Sequence, residues 1–522
     1  MEAVLDHEAG QAAQEETEQE EKKTQAQVII SLCSDMKYLY DEQGESYVQI
    51  KTDNHYEVWP VKSETLELIL IGRFMNAFKG KVPSQNSLKE ATSALRAKAR
   101  LEGKKTVIHT RIAETDETIY IDLCNDEWEV IEIKKDGWEV IPNPPVYFKR
   151  SKIMQELPSP SRKGSIEDLK PFLNYDTEDE YRLIIAWLLS TMKENNPFPI
   201  LTIQGEQGSA KSTITKVLRR IIDPSGLPMR KLPNDEQTLA ISANNTWILA
   251  YDNLSGLSAT MSDSFCTLST GGGLSVRTLY TTSEESVFQI MRPCILNGID
   301  DIGQRPDLLD RSIVINLPSI SESNRSDEKT FWKKFHEKHS SILGALCDVA
   351  CGALKELPDT KLKKLPRMAD FAKWITACET SLGWGSGNFM DIYNENRGKA
   401  IDQGLESDPI AVAVQFLMEN RTTWKDTTEN TLNELGYQIQ NEKIKNSKAW
   451  TTPNKLKNRL RRITTSLRTK GIEYVELPRS SRGGMIEINR IENQPTLHTL
   501  PTQSPPEQRL SSVGKDVGKR LV

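Results

Sequence analysis

The chain has 522 residues, 37% of them apolar, enough for several buried cores and, at about 100–200 residues each, for three or four domains. Its longest charge-free apolar stretch, Leu183–Met192, is roughly half of what a membrane-spanning helix needs, and the acidic start MEAVLDHEAG lacks a signal-peptide pattern; a soluble, cytoplasmic protein without a membrane partner is expected. The net charge of −6 lies wholly in residues 1–27 (eight acids, two lysines), whereas residues 442–490 hold thirteen Lys and Arg against four acids, an asymmetry that points to nucleic acid.

In chain order, residues 1–27 have no aromatic and, after Leu5, no large aliphatic side chain, so they are expected to be a disordered acidic tail. Residues 28–150 read as an α+β domain. In it Ser87-x-x-Glu90 looks like a capping box opening a helix through about Gly103, and an alternating run from Val107 to Ile141 contains a hairpin turn at Lys135-Asp136-Gly137. Nothing in this region has the acid triad or metal cluster of a polymerase or primase site. Prolines and serines from Pro142 to Ser161 mark a linker over 151–164.

Residues 165–327 read as α/β: a helix near Glu178–Glu194, an apolar strand Phe198–Gln204 running into a loop and helix, and two further apolar strands, Trp247–Tyr251 and Cys294–Leu296. Residues 328–407 are expected to be helical, and 408–490 to end in a helix and a strand pair. Residues 491–522, rich in Pro and Ser, are expected to be a second disordered tail. The seven cysteines are dispersed without a C-x-x-C pair, which argues against a disulfide framework or a zinc site.

The chemistry concentrates in PILTIQ-GEQGSAKS-TITKVLRRII. A strand that runs into Gly205-Glu206-Gln207-Gly208-Ser209-Ala210-Lys211-Ser212-Thr213 and straight on into a helix is the arrangement that cradles a nucleotide's phosphates on backbone N–H groups. Lys211 would reach the β- and γ-phosphates, and the Ser212 hydroxyl would take part in holding Mg²⁺. Ala210 stands where the pattern G-x-x-x-x-G-K-[ST] has its second glycine; near-helical angles at the helix start would tolerate the methyl group. Asp252, 41 residues after Lys211 at the end of an apolar strand, is the expected second Mg²⁺ ligand. Asn297 ends another apolar strand and would orient the attacking water. Arg305 and Arg311 follow it, where an arginine finger supplied to a neighbouring subunit would sit. Together these pieces predict a P-loop ATPase using ATP and Mg²⁺.

On these stretches, with WILAYDNLSGLS (247–258), TGGGLSVRTLYTTSEE (270–285), PCILNGID (293–300), RPDLLDR (305–311) and LPRMADFAKW (365–374), residues from about 100 to 475 resemble the ATPases of phage, plasmid and integrated mobile elements, the primase-helicase-like family. More distantly they are similar to viral superfamily-three helicases. The resemblance implies a multidomain α/β chain with an AAA+-like P-loop core, an α+β N-terminal domain and a helical lid. It also implies ATP hydrolysis, a hexameric homo-oligomer, single-stranded DNA as the track, and a replication role in a mobile element. Priming is not carried over, which leaves a separate primase as a partner.

One departure stands out: where such ATPases place a second acid after Asp252, this chain has Asn253. Either Glu206 supplies the base, or hydrolysis is slow, or the site is a switch that binds ATP without turnover, as in a replication initiator or loader. A regulatory ATPase sensing something other than DNA is a further rival. The interval Gly271–Tyr280 corresponds to a hairpin that enters the central channel in those helicases, where Arg277 would contact phosphates; a glycine hinge with Arg277 paired to Glu284 or Glu285 is the alternative.

In the C-terminal module, Leu456, Leu460, Ile463 and Leu467 share one helix face, and Lys457, Arg461 and Arg462 leave it. A strand pair follows whose loop carries Arg479 and Arg482. This is a winged-helix pattern for DNA, with a solvated basic helix on an oligomerisation domain as the alternative.

Overall fold

The computed structural model describes residues 23–277, 285–298, 305–321, 327–440, 442–446, 450–481 and 483–491, with side chains left out over 274–289. The chain divides into two compact units that meet at Asp408 and Pro409.

The first unit opens with α1 (Gln25–Ser31), capped by Thr24, whose hydroxyl accepts from Gln27 N while the Gln27 side chain accepts from Thr24 N. This helix begins inside the stretch expected to be a disordered tail: Ala26 and Ile29 point into a core, so ordering starts earlier than composition suggested. Residues 1–22 lie outside the described residues. Strands β1 (Lys37–Tyr40), β2 (Ser46–Thr52) and β3 (His55–Pro60), helices α2 (Glu64–Ala77) and α3 (Gln85–Leu101), and β4 (Lys104–Lys105) follow. The sheet order is β3-β2-β1-β4, antiparallel except for β1 with β4. Val48, Ile50, Leu66, Leu70, Leu88 and Leu95 bury one face of it under the helices.

The capping box expected at Ser87 is displaced. Ser84 is the N-cap of α3, with extended angles and its hydroxyl accepting from Ser87 N, and Ser87 is the third helical residue.

Next come β5 (Ile108–His109), β6 (Ile112–Thr115), β7 (Thr118–Asp122), β8 (Val130–Lys134), β9 (Gly137–Ile141) and β10 (Tyr147–Phe148). Strands β6 to β9 form an antiparallel meander, and Lys134 pairs with Gly137 across the expected turn at Lys135-Asp136. Ile112, Ile119, Ile121, Ile131 and Ile133 belong to the same apolar cluster as the helices and strands that follow. The break expected at residue 150 is therefore bridged by a continuous core. Nor is 151–164 a loose tether. Leu157 is buried, and backbone bonds run from Gln155 N to Pro224 O, Leu157 N to Leu123 O and Ser161 N to Ser340 O. Proline and serine mark the lack of regular structure here, while the backbone polar groups find partners on both sides.

After a 3-10 turn (Ile166–Phe172) come α4 (Glu178–Ser190), β11 (Ile200–Gly205), α5 (Lys211–Ile222), α6 (Glu236–Asn245), β12 (Leu249–Leu254), α7 (Ala259–Thr270), β13 (Gly273–Arg277), β14 (Glu285–Gln289), β15 (Cys294–Gly298), α8 (Pro306–Leu309) and β16 (Ser312–Leu317). The strands β12-β15-β11-β16 form a parallel sheet in that order. Their residues are mostly buried on both faces, as in a sheet covered by helices on each side. β13 and β14 pair antiparallel. Helices α9 (Glu328–Glu356), α10 (Ala369–Leu382) and α11 (Asn388–Ser407) complete this unit, their apolar faces joining the same cluster.

The second unit contains α12 (Pro409–Met418), β17 (Thr423–Thr427), α13 (Thr428–Gln438), α14 (Glu442–Lys445), α15 (Pro453–Thr469), β18 (Ile472–Ser480) and β19 (Gly483–Arg490). Its sheet order is β17-β19-β18, all antiparallel. Leu456, Leu460, Ile463 and Leu467 of α15 are buried, with Ile486 and Ile488 of β19 also in the interior. Among the described residues no helix is long and apolar enough to cross a membrane.

Candidate nucleotide site at the ends of β11 and β12

Parallel strands aim their carboxyl ends at one edge of the sheet, and the loops after β11 and β12 meet there. Gly205 closes β11 at φ +153°. A Cβ on it would stand 2.7 Å from Ser209 Oγ and 2.8 Å from Leu317 O, so the turn admits only glycine. Gly208 (φ +89°) makes the second reversal. Ser209 is buried, its hydroxyl donating to Glu206 O. Asn174, which the sequence did not single out, pins the loop from outside: its amide donates to Ser209 O (3.0 Å) and Pro318 O (2.7 Å).

Ala210 corrects an expectation. It precedes α5 at φ 63°, ψ 24°, left-handed rather than near-helical. A Cβ in that region costs about 1–2 kcal/mol, which is the physical reason for glycine there. Ala210→Gly is accordingly expected to stabilise the chain by about 1 kcal/mol or less, since glycine's freedom in the unfolded chain offsets part of the relief; a thermal melt would read a rise of roughly 1–2 °C. An unchanged or lower midpoint would contradict the strain.

Ala210 also offers α5 no side-chain cap, so no side chain in the cap position occupies the first N–H groups of this helix. Those donors and the helix dipole favour an anion at this point. The Lys211 ammonium lies over the same loop and donates to Gly205 O (2.6 Å) and Glu206 O (2.8 Å). Partial burial lowers its pKa, opposed by the Asp252 carboxylate. Gln207 is exposed and Thr213 half-buried on the first turn of α5.

The Ser212 hydroxyl lies 3.2 Å from both carboxylate oxygens of Asp252. Two features of β12 bring the acid there. Its ladder with β15 is irregular between Tyr251 and Leu254, with Asn253 left-handed at φ 57°. On its other side, Arg230 N donates to Ala250 O and Asp252 N donates to Arg230 O, a short parallel bridge that fixes the Asp252 backbone.

Asn297 is fully buried, and its amide is engaged at both ends. Oδ1 accepts from Asn253 N (3.0 Å), and Nδ2 donates to Thr215 Oγ1 (3.0 Å), which in turn donates to Lys211 O (2.9 Å). The residue read as a water-positioning group thus braces α5 against the end of β12. Thr215, one turn beyond Lys211, is the member of this chain that sequence reasoning missed. The Asn253 side chain is exposed beside the site. Glu206 is exposed too, accepting from Ser319 Oγ (3.0 Å) at the neighbouring strand end.

The two arginines differ. Arg305 caps α8 from a partly exposed position, ion-paired with Asp263 (2.6 Å) and donating to Ala259 O. Arg311 is largely buried, paired with Asp307 (2.5 Å), and Arg367 and Arg397 join Asp307 and Asp310 in the same network. Arg311→Ala is therefore expected to cost about 2 kcal/mol of stability. Arg305→Ala is expected to change stability by about 0.5 kcal/mol or less, because its pair is exposed. Equal melting shifts for the two variants would contradict this division.

In the second unit, Arg461 is ion-paired with Glu476 on β18 (2.6 Å), Lys457 lies beside Gly484, and Arg462 and Arg479 are exposed. Arg482 lies outside the described residues. Arg277 ends β13, with its side chain outside the description.

Comparison with known proteins gives two matches to families. Residues 166–393 match the family model of the actinomycete integrative conjugative element replication protein, and residues 410–504 match that of the AICE RepA C-terminal domain. Among solved structures, SCCmec type IV Cch, described as an active helicase, is similar over 87% of this chain and 92% of its own at 14% identity, with a TM-score of 0.47. The apo C-terminal region of NrS-1 is similar over 89% and 98% at 14% identity, with a TM-score of 0.35. No curated protein matches the chain.

Proposed function

We propose that this replication-protein relative is an ATP-driven DNA motor, a helicase or translocase that acts in the replication of a mobile element. The observation that carries the reading is the meeting of Ser212 with Asp252 beside Lys211, at the uncapped start of α5. These groups suit a nucleoside triphosphate and Mg²⁺: backbone N–H donors and an ammonium for phosphates, a hydroxyl and a carboxylate for a hard cation. A cation held by Ser212 and Asp252 would supply positive charge against the charge that develops on the phosphates. Lys211 would exchange its loop carbonyls for the phosphates, and Ser212 and Asp252 would hold the cation. Asn297 keeps α5 and the Asp252 loop in register. Of the two arginines, Arg305 fits a finger acting across a subunit boundary in a hexameric ring, because its present partner is exposed and replaceable.

The order β12-β15-β11-β16, with one strand between the loop strand and the acid strand, supports an AAA+-like core. The second unit supports a winged helix, with α15 as the recognition helix, the β18–β19 hairpin as the wing, and Arg462 and Arg479 free to meet phosphates. Exposed Asn253 favours one other reading, a nucleotide switch in an initiator or loader.

Steady-state ATP hydrolysis with and without single-stranded DNA, against Lys211→Ala, tests the proposal. Turnover that rises with DNA and vanishes in the variant is expected. ATP binding without turnover would replace the motor with the switch, and no ATP binding would remove both.

A further inference from the structure

The β1–β3 sheet has a second face that the helices do not cover. Strand alternation sends Val48 and Ile50 into the core under α1 to α3, and Tyr47, Gln49 and Lys51 to the opposite side. The register aligns rows across that side: Leu39 with Tyr47, then Lys37 with Gln49 and Val58, then Lys51 with Tyr56. Trp128 covers the first row and Val58, so Leu39, Tyr47 and Val58 are buried beneath it. Beyond Val58 the face opens into a cavity of about 410 Å³, floored by Lys37, Gln49, Lys51 and Tyr56 and walled by Tyr147.

The chemistry of this cavity is specific. Tyr56 is 43% exposed, an aromatic side chain left partly to solvent on a sheet. The Lys37 ammonium donates to Tyr147 Oη (2.8 Å) and lies 5.3 Å from that ring's centre. Gln49 offers both a donor and an acceptor to a ligand edge. The two carboxylates in the cavity are already committed, Asp35 to Arg73 (2.5 Å) and Asp122 to Arg150 (2.6 Å). Lys37 and Lys51 therefore set the sign of the potential.

We propose that this open half-sheet is a binding site for single-stranded nucleic acid, in which an unpaired base stacks on Tyr56, Gln49 meets its edge, and Lys37 and Lys51 hold the flanking phosphates. Aromatic side chains on a sheet suit unpaired bases because every base has a stacking face, whereas a duplex keeps those faces covered. A proline-rich peptide would use the tyrosines but would bring no anion to Lys37 and Lys51. The site goes beyond the motor reading: it gives residues 28–150 a role that needs no hydrolysis.

The test uses the full chain without ATP and an oligothymidylate carrying 4-thiothymidine, photocross-linked and mapped by peptide. Label on the peptides carrying Tyr56 or Tyr147 is expected. At subsaturating oligonucleotide, Lys51→Ala/Tyr56→Ala should lower that label about tenfold without moving the melting temperature, since both side chains face solvent. Tyr56→Phe should retain it, because stacking needs the ring and not the hydroxyl. Label confined to other peptides, or unchanged by the double substitution, would overturn the proposal. Equal competition by duplex would reduce the site to a general basic surface, and equal competition by thymidine monophosphate would make it a mononucleotide pocket; either result overturns it. A chain that hydrolyses no ATP still gives a valid answer, so failure of the motor reading is distinguishable from failure of this one.

Discussion

Asp252→Asn is expected to lower Mg²⁺-dependent ATP turnover by a factor on the order of 10²–10³ while leaving the melting temperature nearly unchanged. Asparagine matches aspartate in size and keeps an oxygen to accept the Ser212 hydroxyl, so the local packing survives. The negative charge is lost, and with it the attraction for a divalent cation shared with Ser212. Asp252 is half-buried with no cationic partner among the described ion pairs, which means that its charge is not spent on holding the fold. Steady-state turnover across a Mg²⁺ titration, beside a thermal melt, checks both halves. Turnover within a fewfold of the parent at saturating Mg²⁺ would remove Asp252 from the site.

The contrast between Asp252 and Ala210 shows what the sequence could convey. Strand, loop, helix and acid were legible because each has a local signature: an apolar run, glycines at Gly205 and Gly208, and a lysine and serine at the helix start. The conformation of Ala210 was not, because its φ of 63° is imposed by how the loop re-enters α5 between fixed strand ends. Asn297 was located on the right strand, but its bracing role depends on Thr215 and on the irregularity of β12, neither of which has a pattern in the chain. The helix N-cap missed at Ser84 is a local ambiguity, since two serines three residues apart both fit a cap.

Domain limits were the least legible feature, for a related reason. The meander β6 to β9 alternates as a half-exposed sheet would, and nothing in that alternation names the partner of its apolar face. The partner lies far along the chain: Trp138 Nε1 donates to Asp348 Oδ1 on α9 (2.7 Å), and the isoleucines join the α9–α11 cluster. Local helix and strand patterns, with the Pro- and Ser-rich stretch after them, assigned residues 28–150 to a domain of their own.

Arg111 supplies the sharpest consequence of that fusion, and Arg111→Ala is expected to cost about 3–5 kcal/mol. The side chain is fully buried between the start of the meander and the far end of α5. Its Nε donates to Asp223 Oδ1 (3.1 Å), Nη1 to Asp122 O (2.9 Å), and Nη2 to Gln155 O (2.8 Å) and Pro224 O (3.3 Å). Asp223 Oδ2 accepts in turn from Ile248 N at the approach to β12, and Arg219 lies 3.6 Å from that oxygen. Removing the guanidinium takes a donor from three carbonyls, of which Pro224 O keeps its bond from Gln155 N, and removes part of the support of a buried carboxylate; unmade buried hydrogen bonds cost more than formed ones contribute. Because the cluster joins residues before 150 to both α5 and β12, the loss should appear as a fall in the main melting transition and not as early melting of a separate front domain. A melt in which residues 23–150 unfold in their own transition, with the main midpoint unmoved, would show that the front region folds apart from the sheet that carries Lys211 and Asp252.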